Sequence, residues 1–413
     1  MRSLNAKVGS LLAAIALAGC FESSTENKND TGIKAQAYVA VGNSLTAGFQ
    51  SGGLRKDWQE ASYPSLLAKA MGVEDWQIPA IDSPGIGRQK IGGKTATPLF
   101  VENGSVTAVP LTVESGSLLS NRSLTRPYND LGVPGATTKD FMHAYDSSSS
   151  QAGNNGYFNI VLRGGVLNNT SMMRQAILLK PTVMTMWVGN NDILGGITEG
   201  TVVEGVTVTP ISYYSSLMDS ALDTLTRETA ARIFLANIPS ITTIPFVTTI
   251  PPVVINPATN TPVIDTTTGK PIPLLTKEAN VKYVLLPALA VMKGGTGIPV
   301  LLGGKGDSLA ANLTLTVEEA ATAERLTLGY NAYLKAKAEA NPTRLTLVDV
   351  NGLLVKLTKG EIAGLTATFP LLDPTKSAFS LDGIHPNSKG YKELAKLFAD
   401  VINSTLTKTY KIE

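Results

Sequence analysis

Ala37-Tyr38-Val39-Ala40-Val41-Gly42-Asn43-Ser44-Leu45-Thr46-Ala47-Gly48 is the stretch on which the fold turns. Residues 37–41 form a short, β-favouring apolar run without polar alternation. That pattern belongs to a strand buried on both faces, as in a parallel sheet, rather than to one with a wet side. The run stops at Gly42, and a serine follows two residues later. A serine just past a buried parallel strand lies at the carboxyl end of the sheet, where open α/β folds place their sites. Should a helix begin there, its free N–H groups also favour an anion. The plainer reading of Ser44 is an ordinary helix cap.

The rest of the chain repeats the alternation of strand and helix. Helical stretches are expected at Tyr63–Met71, stopped by Gly72, at Ser171–Leu179, at Tyr213–Ala230, at Glu318–Ala340 and around Lys389–Ile402. Strands are expected at Thr182–Val188, ending in Gly189, at Ile233–Ala236, ending at Asn237, and at Leu345–Val350. Alternation of this kind predicts a three-layer α/β/α domain with a mainly parallel sheet. Two segments fall outside it. Residues 80–125 are rich in Gly, Ser, Thr and Pro without a sustained period, and read as a long loop or small insertion. Pro239 to Pro273 is dense in Pro, Thr, Val and Ile, which excludes helix interiors and central strands and suggests an extended excursion with room for a hairpin. With the neighbouring apolar run Val281–Val300 it extends the second insertion to about residue 315, as either a cap over the site or a small packing subdomain.

The first residues are set apart from the fold. Arg2 and Lys7 precede an apolar run, Val8 to Leu17, too short to span a bilayer but suited to a signal peptide. It ends in Leu17-Ala18-Gly19-Cys20, which resembles the lipobox of bacterial lipoproteins. That resemblance implies cleavage before Cys20 and lipidation of its thiol. Residues 1–19 are therefore expected to be a signal peptide and 20–34 a polar, flexible tether. The catalytic domain is expected over 35–410, and the mature protein in the bacterial cell envelope, lipid-anchored at the outer membrane. Cys20 is the only cysteine, so no internal disulfide can form. Loss of residues 1–19 takes the formal charge from +2 to 0, without the basic excess of a nucleic-acid binder.

Serine-based ester hydrolysis needs a hydroxyl, a base, a group that orients the base, and donors for the oxyanion. Only two histidines exist, His143 and His385. His385 lies in Leu381-Asp382-Gly383-Ile384-His385-Pro386, where an aspartate three residues earlier can reach Nδ1 on a tight loop and leave Nε2 to face a serine. Asp-x-x-His alone is a weak signal, common in surface turns. His143, among Asp140, Phe141 and Met142, reads as a helix residue. The stretch around Ser44 is not a Gly-x-Ser-x-Gly elbow, because position 46 is Thr. If Ser44 and His385 are to meet, the domain must be assembled from both ends of the chain, with the intervening surplus leaving it as insertions.

Four blocks in order resemble the SGNH (GDSL) hydrolases, a family of esterases, lipases, thioesterases and carbohydrate deacetylases. They are Gly42-Asn43-Ser44-Leu45, Leu131-Gly132-Val133-Pro134-Gly135-Ala136-Thr137-Thr138, Gly189-Asn190-Asn191-Asp192, and Asp382-Gly383-Ile384-His385-Pro386. The resemblance implies Ser44, Asp382 and His385 as the catalytic triad. It implies an oxyanion hole made by Ser44, Gly135 and Asn191, and ester bonds as the target. Residue chemistry agrees. Gly135 has no side chain to keep a substrate from its N–H, and Asn191 offers an amide NH₂ beside the N–H of Ser44. The first block departs from the family by having Asn43 where Asp is usual. Asn keeps one carbonyl acceptor, so local hydrogen bonds partly persist and activity is expected to survive.

No metal or other cofactor is expected, since two distant histidines without a cysteine cluster supply too few ligands. The expected partners are an ester substrate and a membrane reached through the N-terminal lipid. Among substrates, a lipid acyl ester is favoured over an acetylated carbohydrate by the apolar insert and the 6% aromatic content. A non-catalytic lipoprotein that holds a glycan or lipid is the competing class.

Overall fold

A computed structural model describes residues 38–413. The expected signal peptide, Cys20 and the 20–34 tether lie outside the described residues. At the centre is a five-stranded, all-parallel sheet: β1 (Tyr38–Gly42), β2 (Asp130–Gly132), β3 (Val183–Trp187), β4 (Arg232–Ala236) and β5 (Leu345–Val348), in the spatial order β2-β1-β3-β4-β5. Chain order and spatial order reverse between β1 and β3. In such doubly wound sheets a crevice opens at the carboxyl ends of the strands at that switch point. The β1–β3 register runs from Tyr38 opposite Val183 to Gly42 opposite Trp187, so both strands end at one level there.

Burial explains the composition of the strands. Tyr38, Val39, Ala40 and Val41 are fully buried, as both faces of the sheet are covered. The flanking helices form two groups. One comprises α1 (Tyr63–Ala70), α7 (Val350–Thr358) and α8 (Ser388–Leu406), of which α1 and α7 both pack on α8. The other comprises α2 (Thr138–His143), α3 (Met172–Leu178), α4 (Asn191–Thr198), α5 (Ile211–Glu228) and α6 (Val317–Ala340), with α2, α3 and α6 against α5, and α4 against α6. Capping fixes several starts. Thr316 and Glu319 form a reciprocal box on α6, Thr137 and Asp140 do the same on α2, and Asn387 caps α8 through the N–H groups of Lys389 and Gly390.

The stretch 80–125 holds two small antiparallel hairpins, Lys90–Ile91 with Lys94–Thr95 and Phe100–Glu102 with Ser105–Thr107. The Pro-rich excursion contains one hairpin, Ile255–Asn256 with Thr261–Pro262, and a short helical turn at Pro245–Thr248 begun by its proline. Val281–Val284 pairs antiparallel with Thr314–Thr316 and closes the excursion. Ile250, Val254, Leu274, Val284, Ala288 and Leu309 form a small core separate from the main one. The insertion also touches the His385 loop, where the Phe246 N–H donates to the Gly383 carbonyl at 2.8 Å. No helix among the described residues is long and apolar enough to cross a membrane.

Candidate active site

The chain leaves β1 through a position only glycine can occupy. A Cβ on Gly42 would lie 2.2 Å from the Thr46 hydroxyl and 2.7 Å from the Trp187 carbonyl. Beyond it the backbone makes hydrogen-bonded turns rather than the helix considered from the sequence. The N–H groups of Thr46 and Ala47 donate to the Asn43 carbonyl, and that of Phe49 to the Ser44 carbonyl. Ser44 thus sits on a tight turn at the head of the sheet, 5% exposed.

His385 arrives from the other end of the chain. The loop between Ser380 and α8 is closed by the Ser380 N–H on the His385 carbonyl (2.8 Å) and by the Asn387 cap. Within it, His385 Nε2 stands 2.7 Å from Ser44 Oγ, and Nδ1 stands 2.9 Å from Asp382 Oδ2. The carboxylate is held on all sides. Oδ1 accepts from the N–H groups of Ile384 and His385 (2.9 Å each), and Oδ2 also accepts from the Gly52 N–H (2.7 Å). Burial pushes this carboxyl up, but the charge and ring hydrogen bond of His385 and the backbone N–H groups outweigh it, leaving it below the usual carboxylate range. An ionised acceptor at Nδ1 puts the imidazole proton there, so Nε2 is the free base facing the serine hydroxyl. The Phe49 ring packs against the imidazole, with centroids 4.7 Å apart.

The two middle blocks meet at the same crevice. Gly135 has φ +82°, and an added Cβ would meet Asn155 Nδ2 at 2.9 Å, so the turn requires glycine. Asn191 opens α4 and donates from Nδ2 to the Ala136 carbonyl at 2.8 Å. The next residue, Asp192, accepts from the N–H and the hydroxyl of Thr138. Burial pushes the Asp192 carboxyl up to about 6, against the opposing effect of these bonds. The backbone N–H groups of Ser44 and Gly135 have no acceptor among the described residues. Asn43 uses both ends of its amide. Its Oδ1 accepts from the Leu45 N–H (3.0 Å), and its Nδ2 donates to Asn190 Oδ1 (3.0 Å), tying the end of β1 to the segment after β3.

Ser44 and His385 open onto a pocket whose walls are almost wholly aliphatic. Leu353, Leu354 and Leu357 of α7, Leu394 of α8, Ile362, Leu365, and Pro239, Ile241 and Ile244 from the start of the insertion line it. Its aromatic members are Trp187 and Phe379, apart from the imidazole. His143 is exposed at the end of α2 and takes no part in lining this pocket. Among the described residues no group of three or more His, Cys, Asp or Glu side chains converges to hold a metal ion.

The four blocks, separated by most of the chain, thus converge at one crevice, and a family model described as GDSL-like lipase/acylhydrolase matches residues 38–398. The chain belongs to the GDSL-like lipase/acylhydrolase family. It is accordingly an ester-cleaving hydrolase. Solved structures similar to it include a family 3 carbohydrate esterase of Clostridium thermocellum, at 14% identity over 91% of this chain and 97% of that one, with a TM-score of 0.35. An acetyl xylan esterase matches at 11% identity over 88% and 98%, TM-score 0.35. An extracellular lipase of Streptomyces rimosus matches at 12% over 89% and 98%, TM-score 0.35. No curated protein sequence matches the chain.

Sequence reasoning named Ser44, Asp382, His385, Gly135 and Asn191, and these cluster around the crevice. It gave no role to Asn190 or Asp192, although both stand in the third block, nor to Gly52, whose N–H holds Asp382. The leucines of α7 carried no signal beyond hydrophobicity.

Proposed function

We propose that Ser44 is the nucleophile of a carboxylic-ester hydrolase, with His385 as general base and Asp382 as the group that orients it. The observation that carries this reading is the unbroken line from Ser44 Oγ through His385 (2.7 Å) to Asp382 (2.9 Å). As Ser44 attacks the ester carbonyl, Nε2 takes the hydroxyl proton and then returns it to the departing alkoxide. The acyl-enzyme is hydrolysed by the same steps, with water in place of the serine. The oxyanion is held by the N–H groups of Ser44 and Gly135, which have no other acceptor among the described residues, and by the Asn191 amide.

The aliphatic walls favour an ester whose acyl group is a hydrocarbon chain over an acetylated carbohydrate. A sugar calls for polar partners and aromatic platforms, and the lining supplies few of either. On the strength of the Leu17-Ala18-Gly19-Cys20 segment, the mature protein is anchored through lipid on Cys20, at the outer membrane of its host. The experiment is hydrolysis of 4-nitrophenyl acyl esters by wild type and Ser44→Ala, with labelling by a serine-directed phosphonate. Turnover and labelling that both vanish in Ser44→Ala support the reading, and turnover that survives refutes it. Recovery of the wild-type chain unlipidated in the cytosol would refute the anchor.

A further inference from the structure

The acyl pocket contains polar groups that its aliphatic walls do not need. Asn190 lines it, is only 4% exposed, and spends its Oδ1 on Asn43. Its Nδ2 has no acceptor among the described residues, yet it is not sealed away in packing, which leaves it open to the pocket it lines. The indole N–H of Trp187, at the end of β3, also lacks a partner but is sealed in packing, so Asn190 Nδ2 is the donor a ligand can reach. A donor open among hydrocarbon walls is a fixed point at which a ligand oxygen can take the place of water. A plain fatty chain brings no acceptor. Both residues also lie close to the nucleophile along the chain paths. Gly42, two residues before Ser44, pairs with Trp187, and Asn43, its immediate neighbour, bonds to Asn190.

We infer that the pocket is built for an acyl chain carrying an oxygen within a few bonds of the ester carbon, a hydroxyacyl ester, whose oxygen accepts a hydrogen bond from Asn190 Nδ2. The inference rests on the ester-hydrolase reading above and narrows its substrate class. The oxygen falls near the ester because Asn190 is tied to the residue next to Ser44. A fixed donor on one wall also distinguishes the two configurations of a hydroxyl-bearing carbon.

The test compares 4-nitrophenyl hexanoate with both enantiomers of 4-nitrophenyl 3-hydroxyhexanoate, on wild type and on Asn190→Leu. One neutral hydrogen bond predicts a kcat/KM about fivefold to tenfold higher for one hydroxy enantiomer than for hexanoate. In Asn190→Leu that ratio falls to about one or below, whatever becomes of absolute activity. If the variant does not fold, the wild-type ratio decides alone, and a value of one or less for both enantiomers overturns the inference while leaving the ester hydrolase intact. A preference that persists in Asn190→Leu overturns it too. Turnover of none of the three esters refutes the ester-hydrolase reading, and this inference with it.

Discussion

Asp192 accepts hydrogen bonds from both the backbone N–H (2.8 Å) and the hydroxyl (2.9 Å) of Thr138, 54 residues earlier in the chain. One end of this link is the residue after Asn191, and the other lies three residues past Gly135. It therefore fastens together two of the proposed oxyanion donors. Asp192→Ala leaves the buried Thr138 N–H unpaired, at about 1–3 kcal/mol of stability, measurable by urea unfolding. It should also lower kcat by roughly tenfold or more while leaving KM little changed, since the donors act on the transition state. Thr138→Val, which keeps the backbone bond, should be milder on both counts. A change confined to KM would place the link in substrate binding instead.

Asp382 should tolerate asparagine poorly. Its Oδ1 faces the N–H groups of Ile384 and His385, and its Oδ2 faces the Gly52 N–H and the His385 ring. An amide NH₂ in either place meets donors. Asp382→Asn should therefore disturb the loop or reverse the imidazole tautomer, lowering kcat by about 10²- to 10⁴-fold. Ser44→Ala, His385→Ala and the double variant should share nearly one rate, because the two residues work as a unit. Activity close to wild type in Asp382→Asn would remove Asp382 from its proposed role.

The sheet was largely legible because four of its strands are short, mainly apolar runs, three of which stop at Gly or Asn. The fifth, β2, escaped notice. It is three residues long, too short to show a period, and it begins with Asp130, a charge no pattern would place in a core. The predicted strand Leu345–Val350 ran past its end, because Asp349 caps α7 by accepting from the Gly352 N–H and Val350 already belongs to the helix. The polar residues of the site stood out because their chemistry restricts the choice, with two histidines in the whole chain. The pocket did not. Beyond the site residues themselves, most of its wall comes from three distant stretches, near 239–244, 350–365 and 378–394, whose leucines and isoleucines look like any core residues until the fold brings them together.

Asp130 makes stability depend on pH. Burial pushes its carboxyl up to about 8, with the Gly132 N–H at 2.8 Å opposing the rise. Between about pH 4 and 8 the folded protein holds a proton on Asp130 that the unfolded chain has released. Raising pH through this window therefore destabilises the fold, by up to about 1.4 kcal/mol per pH unit, and the penalty is complete above 8. Asp130→Asn can keep the acceptor for Gly132 and cannot ionise. Its melting temperature should move above that of wild type progressively from pH 5 to 8. A difference that stays constant across that range would contradict the assignment.

The aliphatic pocket sets an expectation for chain length. Each methylene moved from water into it contributes about 0.8 kcal/mol, or roughly fourfold in kcat/KM if the gain persists in the transition state. Across 4-nitrophenyl acetate, butyrate, hexanoate and octanoate, kcat/KM should rise at about that rate per methylene until the chain fills the space, and then level or fall. Leu354, on α7 and in the pocket wall, is the place to shorten it. Leu354→Trp adds bulk without adding charge, so the optimum should shift to shorter acyl groups while acetate turnover changes little. Overpacking can itself cost about 1–3 kcal/mol of stability, so thermal unfolding of the variant separates a blocked pocket from a loosened fold. If acetate is preferred by wild type and the profile is flat from butyrate onward, the hydrocarbon chain is not lodged between α7 and α8. The acetylated-carbohydrate alternative then becomes the better account of this site.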